Sequence, residues 1–247
     1  MIKKFLHILV LSYATVIFSE EEPMARVIDL GKMDVSCIPG YKALDLSILA
    51  EEYSPFNGAI ELCTYFHYLQ DTFRLDTAIE TGTSEGKTSA FLAFLFDKVH
   101  TTDIDVSSFQ NALIALRPYS NIEVHYGDSP FILRQILPSK KNNRLLFYLD
   151  AHSSNNKWPL LEELEVIAQT HRDNCIIVIN DFKIPGRNDI PYYAVGKKEC
   201  SYEYIKSQLN KVFSSYVYYY VIPKSVNAGA KFVAIPKKRD FSSGWAQ

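Results

Sequence analysis

The sequence predicts one α/β domain built on a doubly wound, mainly parallel sheet of seven strands. Short apolar segments alternate with segments whose apolar residues recur at helical spacing, which is typical of a parallel sheet covered by helices. Residues 176–179 are apolar throughout, as expected for a central strand buried on both faces. Residues 216–222 and 231–235 are strand-like around a turn containing Gly229, and this predicts a C-terminal antiparallel hairpin.

The elements follow one another in a regular order. A helix is predicted over 60–73, from the spacing of Leu62, Phe66 and Leu69. Pro118 ends the helix before the third strand, and Pro130 suits the first turn of the next helix. The predicted strands are 77–80, 98–102, 122–126, 145–149 and 175–179, followed by the hairpin. The other predicted helices are 84–96, 107–116, 130–137, 160–170 and 202–213.

Composition restricts the possible functions. The 247 residues are 47% hydrophobic and 22% charged, an ordinary balance for a globular chain. The net charge is −2 and like charges form no long block, which argues against a nucleic-acid partner. The four cysteines form no CxxC pair, so a zinc site is not expected.

The N-terminal residues differ from the rest. Residues 1–19 have a basic start and an apolar stretch before a polar one, which predicts a signal peptide or an N-terminal anchor. The stretch is shorter than the roughly 20 residues that span a bilayer, and no other segment suits a membrane. We therefore expect export, with a cytoplasmic location as the alternative. Residues 20–60 are predicted to be an irregular extension, and 61–240 the folded domain.

A glycine-containing turn follows the first predicted strand, in the order Glu80-Thr81-Gly82-Thr83-Ser84-Glu85-Gly86. A P-loop needs four residues between its first glycine and the Gly-Lys pair, and only three stand here. The Gly-x-Gly-x-x-Gly pattern of dinucleotide sites is also missing. Gly82 allows a tight turn, and Ser84 is predicted to cap the next helix. A purely structural turn is the alternative.

Acidic residues follow the next two strands. Asp103 lies about 20 residues after the glycines, a spacing that suits a carboxylate on ribose hydroxyls, with Asp105 as second choice. Asp128 and Ser129 follow the third strand. The alternatives are a solvated loop acid at Asp103 and a simple helix cap at Asp128.

The fourth and fifth strands end in Asp150-Ala151-His152 and Asn180-Asp181. Neighbouring strand ends bring these side chains together, and their oxygens suit Mg²⁺ or another divalent cation. His152 is the candidate general base, because an imidazole titrates near neutral pH. A structural or metal-binding His152 is the alternative. The other histidines are expected to be structural or solvated, namely His7, His67, His100, His125 and His171.

Together these motifs resemble the class I S-adenosylmethionine-dependent methyltransferase superfamily, over about residues 75–235. The nearest members are metal-dependent O-methyltransferases and cephalosporin-hydroxylase-like proteins. The resemblance implies a cofactor site, a catalytic pair and a metal site. The cofactor residues would be Glu80, Gly82, Thr83, Ser84, Asp103, Asp128 and Ser129; the catalytic residues Asp150 and His152; and the metal ligands Asp150, Asn180 and Asp181. The family has Asp-Asn where this sequence has Asn180-Asp181, which puts Asn180 in question.

The expected activity is methyl transfer from S-adenosylmethionine to an oxygen of a small-molecule or glycan acceptor. Residues 183–193 form a long irregular segment on the ligand side and are expected to contact the acceptor. Trp158 is expected either to line the acceptor pocket or to anchor packing. The alternative function is an exported binding protein that keeps the fold without transferase activity. A hydrolase is disfavoured because no Gly-x-Ser-x-Gly motif occurs.

Overall fold

The computed structural model describes residues 15–17, 25–32, 54–152, 157–225 and 228–237. The strands in these ranges are β1 (Thr15–Ile17), β2 (Ala25–Asp29), β3 (Thr77–Thr81), β4 (Lys98–Asp103), β5 (Ile122–Tyr126), β6 (Leu145–Leu149), β7 (Cys175–Ile179), β8 (Ala194–Val195), β9 (Lys198–Glu199), β10 (Tyr216–Ile222) and β11 (Lys231–Pro236). The α-helices are α1 (Ile60–Phe73), α2 (Lys87–Leu95), α3 (Val106–Ala115), α4 (Ser129–Ile136), α5 (Leu160–Thr170) and α6 (Tyr202–Val212). Short 3₁₀ turns cover Pro55–Gly58 and Leu137–Lys140.

The main sheet has the strand order β1-β2-β10-β11-β7-β6-β3-β4-β5. Strands β3 to β7 pair in parallel, and β11 runs antiparallel to both β7 and β10. From β3 the chain proceeds outward through β4 to β5, and it then returns to β6 on the other side of β3. This reversal between β3 and β6 is where a doubly wound sheet opens a crevice at its carboxyl edge. The predicted α/β class, parallel sheet and C-terminal hairpin are confirmed.

The predicted count of seven strands is wrong, because β1 and β2 extend the sheet to nine strands. Strand β2 pairs in parallel with β10, matching Tyr218 to Ala25 and Ile222 to Asp29. The extension over 20–60 was predicted to be irregular, so this strand is a correction. Five residues of β2 carry too little periodicity to be recognised, and their partner lies far along the chain.

Apolar layers cover both faces of the sheet. In β6 the alternate residues Leu145, Phe147 and Leu149 join the cluster that contains α5 and α6 residues. Leu146 and Tyr148 join the cluster on the opposite face, with α1 and α2 residues. The whole of β6 and of β7 is buried. Strands covered on both faces read as continuous apolar segments, and this is why the sequence revealed them.

The helices begin close to the predicted residues, with one informative difference. Helix α2 starts at Lys87 and not at residue 84, because Gly82 to Gly86 form an extended turn before it. Gly86 occupies the N-cap with φ 79°, a conformation that glycine adopts readily. The start of the helix is therefore set by this glycine.

The predicted signal peptide or anchor lies almost wholly outside the described residues, which include only Thr15–Ile17 from that segment. Those three residues pair antiparallel with Ala25–Val27. Among the described residues, no helix combines the length and apolar character needed to cross a membrane.

Candidate functional site

A cleft of about 660 Å³ lies at the carboxyl edge of the sheet. Its volume is within the range usual for small-molecule sites. The lining residues come from the ends of β3 to β7 and from two flanking segments. They are Asn57, Gly82, Ser84, Thr102, Asp103, Ile104, Asp105, Gly127, Asp128, Ser129, Asp150, Ala151, His152, Lys157, Pro159, Asn180 and Asp181. Most of the predicted site residues therefore converge on one cavity.

The turn after β3 passes very close to the end of β6. Gly82 has φ +87°, and a Cβ built on it would lie 2.7 Å from the backbone oxygen of Asp150. Only glycine fits this approach. Ser84 was predicted to cap the helix, and this is wrong, because its side chain makes no cap. Its backbone N–H instead donates to Asp103 Oδ2 at 2.8 Å.

Glu80 and Thr83 lie beneath the turn and not on the cleft. The side chain of Glu80 is buried and accepts hydrogen bonds from Ser89 and Thr101. Burial raises the pKa of Glu80 to about 8. Thr83 is 4% exposed, and its hydroxyl bonds that of Thr101 at 2.6 Å. Both predicted cofactor residues thus support the turn from below.

Asp103 and Asp105 were both candidates for the acid that binds ribose, and the structure gives them different contacts. Asp103 lines the cleft and accepts N–H groups through both oxygens, from Ser84 at 2.8 Å and from Asp105 at 2.9 Å. The carboxylate of Asp105 caps α3 by accepting the Ser108 N–H at 2.8 Å. Both acids line the cleft, and Asp105 in addition caps α3.

Asp128 and Ser129 line the cleft at the end of β5. Asp128 makes no side-chain cap for α4, and its Oδ2 lies 3.3 Å from the Lys157 ammonium group. Ser129 donates its hydroxyl to the buried Glu163 at 2.5 Å. Burial raises the pKa of Glu163 to about 7. The alternative of a simple helix cap at Asp128 is therefore not supported.

Asp150, His152 and Asp181 form a cluster at the other end of the cleft. One ligand atom from each lies within 4.8 Å of the other two. His152 Nε2 is 3.4 Å from Asp181 Oδ2, and the proximity of this carboxylate raises the pKa of His152. Burial raises the pKa of Asp150 to about 6. Both carboxylates are partly buried, and the nearby Lys231 ammonium group offsets part of their negative charge.

Asn180 is oriented by Asp150. Its amide Nδ2 donates to Asp150 Oδ1 at 2.6 Å. The amide oxygen, which a metal would need, is buried and has no hydrogen-bond partner among the described residues. In this orientation Asn180 positions Asp150 and presents no oxygen to the cluster. A rotation of the amide would exchange the two atoms.

The chain behind the cluster is unusually constrained. Asp181 has φ 47°, and Gly229 leaves room for its carboxylate because a Cβ there would clash with Asp181. Lys231 is buried nearby and donates to the backbone oxygens of Ala228 at 2.6 Å and Gly229 at 3.1 Å. The C-terminal hairpin thus holds Asp181 in place.

Aromatic side chains surround His152. Tyr193 lies edge-on to it with ring centroids 4.2 Å apart, and Trp158 packs between Tyr193 and Tyr204. Trp158 is 9% exposed, which fits a packing anchor better than an open pocket wall. Of residues 183–193, Tyr193 alone borders the small recess beside His152, and none lines the main cleft.

Sequence patterns missed three residues of the site. Asn57 lines the cleft from the turn before α1, and Lys157 reaches Asp128 from the segment before α5. Neither belongs to a recognisable motif. Glu163 could have been recognised from the sequence, because it lies among Leu160, Leu164 and Ile167, which recur at helical spacing. A charge on the apolar face of a helix indicates a buried acid with a specific partner.

The fold matches that of solved methyltransferase structures. The O-methyltransferase TomG from Streptomyces achromogenes, involved in tomaymycin synthesis and solved in complex with SAM, superposes with a TM-score of 0.55 at 15% identity, over 83% of this chain and 99% of TomG. A Klebsiella pneumoniae protein assigned as an O-methyltransferase gives 0.51 at 16% identity, over 79% and 93%. Comparison of the sequence with protein-family models and with curated protein sequences finds no match. At these identities the likeness establishes the fold.

Proposed function

We propose that this chain binds S-adenosylmethionine in the cleft and transfers its methyl group to an oxygen of a small-molecule or glycan acceptor. The observation that carries the proposal is the placement of Asp103 and Asp128 on one side of a single cleft, with the Asp150, His152 and Asp181 cluster on the other. The match to TomG, whose structure contains SAM, supports the same cofactor.

The cofactor half is formed by the ends of β3, β4 and β5. Asp103 is oriented by two backbone N–H groups, and its remaining lone pairs can accept a pair of ribose hydroxyls. Asp128 can accept from an adenine amino group. Gly82 brings the turn against the end of β6, so the cofactor's sulfonium end would face Asp150. Glu80 and Thr83 hold this turn from beneath.

The donor set of the cluster fits a divalent cation, which Asp150, His152 and Asp181 would hold. Two carboxylates and an imidazole suit Mn²⁺, Fe²⁺ or Zn²⁺ better than Mg²⁺, which prefers oxygen ligands alone. When bound, the ion would supply Lewis acidity and orient an acceptor hydroxyl. Asn180 donates to Asp150 and keeps that carboxylate aimed at the cluster.

In a site without the ion, His152 would instead take the acceptor proton, at Nε2 beside Asp181. The Asp181 carboxylate would stabilise the imidazolium that forms. Much of the rate would come from alignment of sulfonium, methyl carbon and acceptor oxygen in the cleft.

Calorimetry on the full chain, with S-adenosylmethionine and with its demethylated product, tests the core proposal. We expect binding of both, with micromolar affinity as the order of magnitude, and its loss in Asp103→Ala. No binding of either compound would overturn cofactor recognition. Turnover that survives removal of metal by a chelator, yet is lost in His152→Gln, would assign His152 as the base and exclude the ion.

A second candidate is an exported binding protein that keeps this fold without transfer. It is motivated by the signal-like pattern of residues 1–19. N-terminal sequencing of the protein recovered from fractionated cells tests it. A mature chain lacking that segment outside the cytoplasm, together with no affinity for S-adenosylmethionine, would favour this candidate.

A further inference from the structure

We propose that His100, His125 and Glu123 form a binding site for a zinc-like divalent cation, separate from the cleft. His100 lies on β4, and Glu123 and His125 lie on the edge strand β5. The register pairs His100 with Glu123 and Thr102 with His125. Because side chains two residues apart on a strand share a face, the three side chains meet on one face of the sheet.

The ligand atoms are spaced as a bound ion requires. His100 Nδ1 is 3.1 Å from His125 Nε2 and 3.4 Å from Glu123 Oε2, and the latter two atoms are 4.0 Å apart. A point equidistant from three atoms so spaced lies about 2.1 Å from each. Zinc binds imidazole nitrogen at about 2.0–2.1 Å and carboxylate oxygen at about 2.0–2.2 Å. One ion therefore lies within bonding distance of all three atoms in the plane that they define, and a small side-chain shift would give the tetrahedral geometry that zinc prefers.

The protonation states favour ligation. Burial lowers the pKa of His100 to about 4 and also lowers the pKa of His125, which favours the neutral, metal-binding form of both imidazoles. Lys98 bonds Glu123 Oε1 at 2.6 Å and lowers its pKa, so this carboxylate is ionised and its other oxygen faces the histidines. The set is two neutral nitrogens and one anionic oxygen, with a fourth position open to water.

The site is accessible from solvent on one side. The His100 side chain is 3% exposed, whereas that of His125 is 22% and that of Glu123 is 51% exposed. Ligation would place the His100 proton on Nε2, which has no hydrogen-bond partner among the described residues. A metal-bound imidazole is usually oriented by such a partner, which is worth roughly 10–100-fold in affinity. We therefore expect affinity on the order of micromolar and not nanomolar.

The ion would join β4 to the edge strand β5 just before the points where both enter the cleft, at Thr102 and Gly127. Its effect is a cross-link that stabilises this edge. This role is independent of methyl transfer, so failure of the proposed activity would leave it standing.

The test uses the full chain stripped of metal, with zinc binding followed by equilibrium dialysis and Co²⁺ binding by visible absorption. Asp150→Asn first disables the other candidate metal cluster. In that background we expect one zinc per chain and a zinc-dependent rise in Tm. Adding His125→Gln should weaken binding at least about 100-fold and abolish the Tm rise, and Glu123→Gln should weaken it about tenfold.

The control is His67→Gln in the same background, which removes a partly buried histidine outside both clusters. It should bind zinc like its parent. The proposal is overturned if Asp150→Asn binds no zinc at micromolar concentration, or if the added His125→Gln leaves affinity and Tm rise intact. The first result would mean that His100 and His125 share only a hydrogen bond. His125 is partly exposed, so its loss should leave the metal-free Tm near that of the parent.

Discussion

Asp103 Oδ2 accepts a hydrogen bond from the backbone N–H of Ser84 at 2.8 Å. This contact joins the glycine turn after β3 to the end of β4. Asp103 Oδ1 also accepts the Asp105 N–H at 2.9 Å, so both oxygens are fixed in direction. An ionised carboxylate has about four acceptor sites, and two therefore remain for a ligand. The glycine turn and Asp103 are thus one structural unit.

Asp103→Asn should weaken binding of the demethylated cofactor product by about 10–100-fold. The amide replaces one acceptor oxygen with a donor, so it loses a charge-assisted hydrogen bond of roughly 1.5–3 kcal/mol. Calorimetry measures the change. Asp105→Asn is the matched control, because asparagine caps a helix about as well as aspartate. Equal losses in the two variants would contradict the division of roles between these residues.

Gly82→Ala should destabilise the fold by about 2–4 kcal/mol. The new Cβ would lie 2.7 Å from the Asp150 backbone oxygen, at φ +87°. Gly196→Ala is the control, because it has φ +60° and open space around the Cβ. It should cost about 1 kcal/mol for backbone strain alone. Urea unfolding of both variants separates crowding from strain, and equal midpoints would contradict the close approach.

Sequence patterns predicted β6 and β7 with correct bounds because continuous apolar segments identify doubly covered strands. They missed β2, whose pairing with β10 joins residues far apart in the chain. The rule that ligands bind at the carboxyl ends of parallel strands correctly predicted that Asp103, Asp128 and Asp150 line the cleft. It ranked Asp103 above Asp105 without showing that Asp105 caps α3, and it did not reveal that Glu80 points beneath the turn, because both depend on side-chain direction.

Glu80 should make stability fall as pH rises from about 5 to 8, and below about pH 6.5 the buried His100, whose pKa is lowered to about 4, acts in the opposite direction. In the unfolded chain Glu80 releases its proton near pH 4.5, whereas burial keeps it protonated in the fold until about pH 8. Between these values folding takes up a proton, so raising the pH favours the unfolded state. The full effect is on the order of 4–5 kcal/mol. The buried Glu163 acts in the same direction.

Glu80→Gln should therefore be more stable than the parent at pH 8 and close to it at pH 5. The neutral amide keeps an oxygen that can accept from Ser89 and Thr101. Tm measured from pH 5 to 9 tests this expectation. Glu165→Gln, at an exposed position of α5, should leave the pH profile unchanged. A parallel shift of the Glu80→Gln profile at every pH would refute the linkage.

Substitutions at the two ends of the cleft should change different kinetic parameters: those in the Asp150 cluster should lower kcat, and those beside Asp128 should raise the Kd of the cofactor product. Asp150→Asn should lower kcat by at least about 100-fold while leaving affinity for the demethylated product within about threefold, because Asp150 belongs to the cluster that we propose faces the acceptor. Asp128→Asn should do the reverse, raising Kd about tenfold with a smaller effect on kcat at saturation, because it removes a charged acceptor from the adenine end. Both substitutions are isosteric, so each serves as the other's control for folding. If Asp150→Asn impairs product binding as strongly as Asp128→Asn does, Asp150 belongs to the cofactor half and the acceptor must enter elsewhere.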